Sequence, residues 1–276
     1  MIGVPPPRAQ SRPGQAAPRL RAYSGGVSTS LLQATTELAG LIGAAAFRHF
    51  RRDVAVERKP DGSPVTIADR EGEQLARAWL ARHYPADGVL GEEFGATPGT
   101  SRRTWLLDPI DGTKTFVRGV PLWGSLVAVV EGATVVAGAA AFPAVAETIA
   151  AAIGEGCWHN QSRCRTSSVS ALADGTVLTS DVNRFAGAPA RAWTTLAAGA
   201  GVTRTWGDCY GYLLVATGRA EIMVDVGLNP WDIACFVPIV EEAGGSITDF
   251  TGKRYPPLEN AIATNSALAA EALRCF

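Results

Sequence analysis

The chain has 276 residues, of which 47% are hydrophobic and 18% are charged. This balance fits a folded chain with a large buried core and argues against a disordered one. The formal net charge of −1 predicts no broad basic face, which argues against a general nucleic-acid-binding surface. No apolar run reaches the length of a membrane span, so we expect no transmembrane helix.

The N-terminal segment, residues 1–26, differs in composition from the rest of the chain. It is rich in Pro, Arg, Gly and Ala, and the first acidic residue of the chain is Glu37. We expect a flexible tail and a cytoplasmic protein. An organelle-targeting peptide, such as a plastid transit peptide, is the alternative, because such peptides are Arg-rich and acid-poor. The folded region is expected to cover residues 27–276.

The first half of this region, about 27–160, has the pattern of an α+β unit. Apolar spacing predicts helices over 28–50 and 66–83, separated by the turn signal Lys59-Pro-Asp-Gly-Ser-Pro64. Glu92 and Glu93 are expected in a loop. The predicted strands cover 104–107, 124–131, 134–141 and 147–152, and the middle two form a hairpin.

The second half, about 161–276, alternates between strand and helix patterns. The predicted strands cover 176–179, 202–206 and 221–226, and the predicted helices cover 189–198, 210–217 and 233–243. This alternation is typical of an α/β unit. No long linker separates the halves, so we expect them to share an interface.

The chain has an odd number of cysteines and no CxxC pair. This pattern favours reduced, partly buried thiols in a cytosolic protein. Cys157 and Cys164 flank His159, which leaves a metal cluster as an alternative, although a closed zinc site usually has four ligands. The five cysteines are Cys157, Cys164, Cys209, Cys235 and Cys275.

The segment from Leu106 to Phe116 contains Asp108 and Asp111 directly after an apolar strand pattern. Bare carboxylates are costly to bury, and carboxylates at the end of a strand are natural ligands for a hard divalent cation. Gly112 permits close approach of the backbone to a ligand, and the amides that follow could hold a phosphate if a helix begins there. The segment therefore predicts metal-assisted phosphate chemistry.

Each acidic residue also has a simpler interpretation when it is taken alone. Asp111-Gly112 is a common turn dipeptide, and Glu92 fits a solvated loop. Asp232 fits a helix N-cap, and Asp69 fits the first turn of a helix, where negative charge suits the helix dipole. The hypothesis that these residues form one site therefore depends on their occurring together in the chain.

Five blocks together resemble the inositol monophosphatase superfamily of Mg²⁺-dependent phosphatases, in the order of that family and over about 27–272. The blocks are Pro64-Val-Thr-Ile-Ala-Asp69, Gly91-Glu-Glu93, Trp105-Leu-Leu-Asp-Pro-Ile-Asp-Gly-Thr113, Trp231-Asp-Ile-Ala234 and Glu241-Glu-Ala-Gly-Gly245. The resemblance implies a mixed α+β and α/β fold, the layered αβαβα sandwich of the inositol monophosphatase and fructose-1,6-bisphosphatase type. It also implies a homodimer that hydrolyses a small phosphate ester.

The resemblance further implies a role for each site residue. Two or three Mg²⁺ ions are expected in the site, where they would activate a water and stabilise the leaving oxygen. Thr113, Asp69 and Glu92 would help to activate the attacking water, and Asp111, Gly112 and Thr113 would bind the phosphate. The implied metal ligands are Glu92, Asp108, Asp111, Asp232 and the carbonyl of Ile110.

Within the superfamily the chain resembles the histidinol-phosphate phosphatase branch. The resembling segments are Asp111-Gly-Thr-Lys-Thr-Phe-Val-Arg-Gly-Val-Pro-Leu-Trp123, Gly207-Asp-Cys-Tyr-Gly-Tyr212 and Gly227-Leu-Asn-Pro-Trp-Asp232. Histidinol is cationic, and Asp208 and Asp225 would place negative charge at its alcohol end, with Asn229 as a further substrate contact. Asp208 also fits the N-cap of the helix predicted over 210–217.

Three other functions stay open at this point. An inositol monophosphatase and a broad-specificity sugar or nucleotide phosphatase use the same metal chemistry. A non-catalytic metal-binding scaffold is the third, and it predicts a broken acidic set.

Overall fold

A computed structural model describes residues 30–60, 62–254 and 259–276 of the chain, and the N-terminal segment 1–26 lies outside the described residues. Among the helices of the described part, none is long and apolar enough to cross a membrane.

The first half is built on an eight-stranded sheet with two helices on one face. α1 (Leu31–Phe47) and α2 (Ile67–His83) are joined through a short hairpin of β1 (Val56–Arg58) and β2 (Pro64–Thr66). The strands of the sheet are β3 (Gly88–Gly91), β4 (Gly95–Thr97), β5 (Arg103–Asp111), β6 (Gly124–Glu131), β7 (Thr134–Phe142), β8 (Glu147–Ala152), β9 (Gly156–His159) and β10 (Ser162–Arg163). They lie in the order β10-β9-β8-β7-β6-β5-β3-β4.

The second half is built on a five-stranded sheet. Its strands are β11 (Thr176–Leu178), β12 (Val202–Arg204), β13 (Ile222–Val226), β14 (Gly245–Thr248) and β15 (Asn260–Asn265), in the order β12-β11-β13-β15-β14. The strands β12, β11 and β13 are parallel, whereas β15 is antiparallel to both of its neighbours. The remaining helices are α3 (Thr113–Phe116), α4 (Gly187–Gly199), α5 (Cys209–Ala216), α6 (Pro230–Ile233), α7 (Phe236–Glu242) and α8 (Ala269–Leu273).

Three hydrophobic cores define the order of the layers. One core lies between α1, α2 and the first sheet, as Leu38 and Trp105 illustrate. The largest core joins the other face of that sheet to α5, α7 and the second sheet, and Tyr212 and Phe236 stack inside it. A third core packs α4 and α8 against the outer face of the second sheet. The order is therefore α, β, α, β, α, and the predicted layered sandwich is confirmed.

Several predicted boundaries were wrong. The first helix ends at Phe47 and not at residue 50, and the strand predicted over 104–107 continues to Asp111 through a shift in register between Asp108 and Asp111. The helix predicted over 233–243 is shorter, because α7 covers only Phe236–Glu242 and Ile233 is the last residue of the separate helix α6. Pro238 lies in the first turn of α7, where its missing N–H has no intrahelical partner to lose, so a new helix can begin there.

Candidate active site

The end of β5 carries two of the predicted metal ligands. Asp108 is buried, and its Oδ1 accepts a hydrogen bond from the amide of Ile110 at 3.0 Å. Ser125 on the neighbouring strand β6 donates to the carbonyl of Pro109 at 2.6 Å, in the stretch where the register shifts. Residues three apart on a regular strand point to opposite faces, so this register shift lets the carboxylates of Asp108 and Asp111 approach each other.

Asp232 reaches the same place from α6. Asp108, Asp111 and Asp232 each offer a carboxylate oxygen within 4.8 Å of the others. We call these three residues the acidic cluster. In the described part of the chain it is the only group of three or more His, Cys, Asp or Glu side chains close enough to hold a metal ion, so the alternative metal cluster at Cys157, His159 and Cys164 is wrong.

The N-cap interpretation of Asp232 was also wrong. Asn229 is the N-cap residue of α6, and Asp232 is its third helical residue. The Oδ2 atom of Asp232 accepts hydrogen bonds from the amide of Asn229 at 2.8 Å and from its side chain at 3.3 Å. Asn229 thus orients Asp232 within the cluster.

The electrostatics of the acidic cluster favour a bound cation. Burial, followed by the charges of Glu92, Asp111 and Asp232, raises the pKa of Asp108 well above its usual value. Burial and the charges of Asp208 and Asp232 likewise raise the pKa of Asp111 well above its usual value. Burial is the main cause that raises the pKa of Asp232 to about 6. Repelling carboxylates that supply only oxygen donors suit a hard divalent ion such as Mg²⁺, whose charge offsets their repulsion.

Glu92 lies beside the cluster and is held by a lysine that the sequence analysis did not single out. Its amide donates to the carbonyl of Leu107 on β5 at 3.1 Å. The Nζ of Lys59 donates to Glu92 and to Glu93, at 2.7 Å in each case. Burial lowers the pKa of Lys59, but these hydrogen bonds outweigh it, so the pKa is raised overall. The only sequence signal for Lys59 was its place in a turn between two helices.

The structure places Thr113 and Asp69 with different partners. The hydroxyl of Thr113 donates to the carbonyl of Ile110 at 3.0 Å. The Oδ2 of Asp69 accepts from the amide and the hydroxyl of Thr66, both at 2.7 Å. Its Oδ1 is buried without a hydrogen-bond partner in the described chain, and burial raises the pKa of this carboxyl. A buried carboxylate oxygen without a partner is costly, which marks a place for a further polar group.

Asp208 lies at the N-cap position of α5, but its side chain makes no capping hydrogen bond. Asp111 takes the place of Asp208 as acceptor at the start of α5, because Oδ2 of Asp111 accepts a hydrogen bond from the amide of Cys209 at 2.6 Å. The carboxylate of Asp208 instead accepts from the hydroxyl of Thr115 in α3, at 3.3 Å. Gly112, which precedes α3, has φ +84°, and a Cβ at that position would lie 3.2 Å from Asp208.

Ser180 connects Asp208 to Asp225 and was missed by the sequence analysis. Its hydroxyl donates to Asp225 at 2.6 Å and accepts from the amide of Asp208 at 2.7 Å. Asp225 is buried on β13, and burial is the main cause that raises its pKa to about 7. A lone serine after a short strand carries no signal in sequence, because its two partners come from distant elements.

Comparison with known proteins agrees with this architecture. The inositol monophosphatase family model matches residues 28–275. A histidinol-phosphatase of Chlorobaculum parvum is 42% identical over 81% of this chain and 87% of that protein, and one of Mycobacterium tuberculosis is 37% identical over 80% and 87%. The solved inositol monophosphatase of Thermotoga maritima superposes with a TM-score of 0.81 and 30% identity, covering 88% of this chain and 95% of that one. This chain therefore belongs to the inositol monophosphatase family.

Proposed function

We propose that this chain is a Mg²⁺-dependent phosphomonoester hydrolase that converts L-histidinol phosphate and water into L-histidinol and phosphate. The observation that carries the proposal is the acidic cluster of Asp108, Asp111 and Asp232, with Asp208 and Asp225 joined beside it through Ser180. The two histidinol-phosphatases that are similar over four fifths of the chain support the same substrate.

Asp108, Asp111, Asp232, Glu92 and the carbonyl of Ile110 would hold two or three Mg²⁺ ions. When bound, such ions supply a water of lowered pKa and stabilise the charge on the leaving oxygen. Lys59 donates a hydrogen bond to Glu92 and so limits the positions that its carboxylate can take. The repulsion that raises the pKa of Asp108 and Asp111 is relieved by positive charge, which gives the cluster its affinity for cations.

Thr113 and Asp69 would position the attacking water, with Glu92 nearby. The buried, unpartnered Oδ1 of Asp69 is free to accept a proton or a hydrogen bond. The amides of Gly112 and Thr113 open α3, and first-turn amides have no intrahelical acceptor, so they are available to phosphate oxygens. Asp111 would orient the same phosphate group.

Asp208, Asp225 and Asn229 would contact the alcohol end of the substrate. Histidinol carries an ammonium group and an imidazole, both of which gain from nearby carboxylates. The neutral polyol inositol gains less, so the two acids favour histidinol phosphate over inositol phosphate. An inositol or broad-specificity sugar or nucleotide phosphatase is the second candidate, because the same metal chemistry serves each ester.

The homodimer rests on the family resemblance, and the location and the domain bounds rest on the sequence patterns. We propose a homodimer in the cytoplasm, with residues 27–276 as one phosphatase domain made of an α+β half, 27–160, and an α/β half, 161–276. The intact acidic cluster favours catalysis over a metal-binding scaffold.

A side-by-side assay of histidinol phosphate, inositol-1-phosphate and fructose-1,6-bisphosphate tests the proposal. We expect the highest kcat/KM for histidinol phosphate, activity that is lost with a chelator, and recovery on addition of Mg²⁺. An equal or higher kcat/KM for inositol-1-phosphate would contradict the substrate assignment. A folded protein that releases no phosphate from any ester would support the scaffold.

A further inference from the structure

Two cysteines face each other across the β9–β10 hairpin, at the far edge of the first sheet. Cys157 lies in β9, and Cys164 follows β10 directly. The hairpin pairs Trp158 with Arg163, and the next pair outward is Cys157 with Cys164, where the amide of Cys164 donates to the carbonyl of Cys157 at 3.1 Å. The two Sγ atoms lie 3.2 Å apart. We propose that Cys157 and Cys164 form a reversible intramolecular disulfide, a redox modification site separate from the acidic cluster.

The Cα atoms of the two cysteines lie close enough for this bond. Directly opposed residues that exchange a backbone hydrogen bond in an antiparallel ladder have Cα atoms about 5.5 Å apart. This value lies inside the range of about 4.4–6.8 Å that disulfides span. The Sγ atoms lie 3.2 Å apart and must approach to about 2.05 Å, which requires rotation of both side chains and a small approach of the two Cβ atoms.

The two thiols differ in exposure to solvent, and this difference indicates which of them reacts first with an oxidant. Cys157 is fully buried, whereas Cys164 is half-buried and lines an open cleft of about 400 Å³ together with Arg163, Arg165 and Glu241. The hydrogen bond between the thiols is the main cause that lowers the pKa of Cys164, and with burial it raises the pKa of Cys157. A thiol of lowered pKa that a small oxidant can reach is the one that reacts first.

The reaction can be written for a small disulfide, such as glutathione disulfide, as the oxidant. The thiolate of Cys164 attacks one sulfur of the oxidant, which forms a mixed disulfide and releases the first glutathione thiolate. Cys157 then gives up its proton and attacks the sulfur of Cys164, which forms the protein disulfide and releases the second thiolate. The two protons of the protein thiols end on the two released glutathiones, so two thiols are oxidised and one disulfide is reduced.

The other cysteines lack such a partner in the described residues, and the site lies far from the acidic cluster within the sheet. Cys209 and Cys235 are buried, and the Sγ of Cys275 lies 3.7 Å from the carbonyl of Glu271. Three strands, β8, β7 and β6, separate β9 from β5, which carries Asp108 and Asp111. We therefore expect oxidation of the pair to leave phosphatase turnover unchanged.

The experiment uses the full chain, incubated folded with glutathione disulfide, then unfolded for alkylation of free thiols and measurement of the intact mass. We expect the loss of two alkylatable thiols and of the mass of two hydrogen atoms, both reversed by dithiothreitol. Trypsin cleaves after Arg163 and Arg165, so the dipeptide Cys164-Arg165 should stay joined to the peptide 119–163 until it is reduced.

Three variants separate the roles. Cys157→Ala should accumulate one glutathione on Cys164, because the resolving thiol is absent, and its Tm shows whether the core tolerates the change. Cys164→Ser should leave Cys157 alkylatable only after unfolding. Cys275→Ser is the matched control, a half-buried cysteine outside the pair, and should oxidise like the unaltered chain. The proposal is overturned if the unaltered chain keeps a stable glutathione on Cys164, or if both thiols survive treatment.

Discussion

Replacement of Asp208 by asparagine should lower kcat/KM for histidinol phosphate and leave hydrolysis of p-nitrophenyl phosphate nearly unchanged. Asparagine keeps an oxygen that can accept the hydrogen bond from Thr115, which lies at 3.3 Å, and removes only the charge. The alcohol group of p-nitrophenyl phosphate is uncharged, so it loses nothing when this carboxylate becomes neutral. The acidic cluster and the amides that open α3 are untouched.

The magnitude follows from the proposed contact with a substrate cation. A hydrogen bond to a charged group contributes about 1.5–3 kcal/mol. At about 1.4 kcal/mol per factor of ten, kcat/KM should fall about ten- to a hundredfold. Burial raises the pKa of Asp208, so its charge is present only above that raised pKa, and the difference between Asp208 and the asparagine variant should shrink as the assay pH falls.

Two control variants separate the charge from the fold. The backbone at Asp208 has φ +49° and ψ −154°, a region that glycine adopts freely and other residues occupy at a cost of about 1–3 kcal/mol. Asp208→Gly should therefore raise Tm while still losing activity towards histidinol phosphate. Asp181→Asn removes a nearby charge whose carboxylate accepts a hydrogen bond from the amide of Asn183. It should change kcat/KM little for either substrate.

Two results would refute the reasoning. If Asp208→Asn lowered kcat/KM equally for both substrates, Asp208 would have a structural role and no part in specificity. If kcat/KM fell for neither substrate, the assignment of histidinol phosphate would lose its main physical support, and an inositol or broad-specificity phosphatase would fit better.

Asp108→Asn and Asp232→Asn should each nearly abolish phosphate release at saturating Mg²⁺. Each should also raise Tm of the metal-free protein, because repulsion in the acidic cluster falls. Near-normal turnover in either variant would exclude the replaced residue as a metal ligand. Thr113→Ala should lower kcat about 10²- to 10⁴-fold, because positioned proton transfer is lost. Its Mg²⁺ affinity, measured by calorimetry, should stay almost unchanged. A large loss of affinity would place Thr113 among the metal ligands. The folded pKa of Asp225 is raised to about 7, so its contribution to the free energy of unfolding is full below its unfolded pKa of about 4 and is lost as the pH rises towards 7. The free energy of unfolding of Asp225→Asn, measured in denaturant, should therefore differ less between pH 5 and pH 8 than that of the unaltered chain. An equal difference in both proteins would contradict the raised pKa of Asp225.

Local patterns predicted most of the elements that surround the site. The hairpin of β6 and β7 was predicted almost residue for residue, because alternating apolar residues and Glu131-Gly132 are local signals. The eight strands β1, β2, β3, β4, β9, β10, β14 and β15 were not predicted. They are two to six residues long, too short to show a clear apolar alternation, so propensity alone cannot distinguish them from loops.

The sequence by itself determined the family, the layered fold and the acidic residues expected to act. Asp108, Asp111, Gly112 and Thr113 follow one another on one strand and the turn after it, so their proximity is dictated by the chain itself. Their chemistry follows from residue type, because carboxylates that cannot be buried alone call for a cation.

Only the tertiary structure decided how the distant residues meet and which further residues join them. Asp232 joins the cluster because α6 lies against β5, and Lys59 meets Glu92 because the turn after β1 lies beside the end of β3. Ser180 links Asp208 to Asp225 where β11, α5 and β13 converge, and Asp111 replaces Asp208 as the acceptor at the start of α5. These contacts depend on how two sheets stack through a shared helical layer, and no local pattern of residues encodes the distances between elements that only packing brings together.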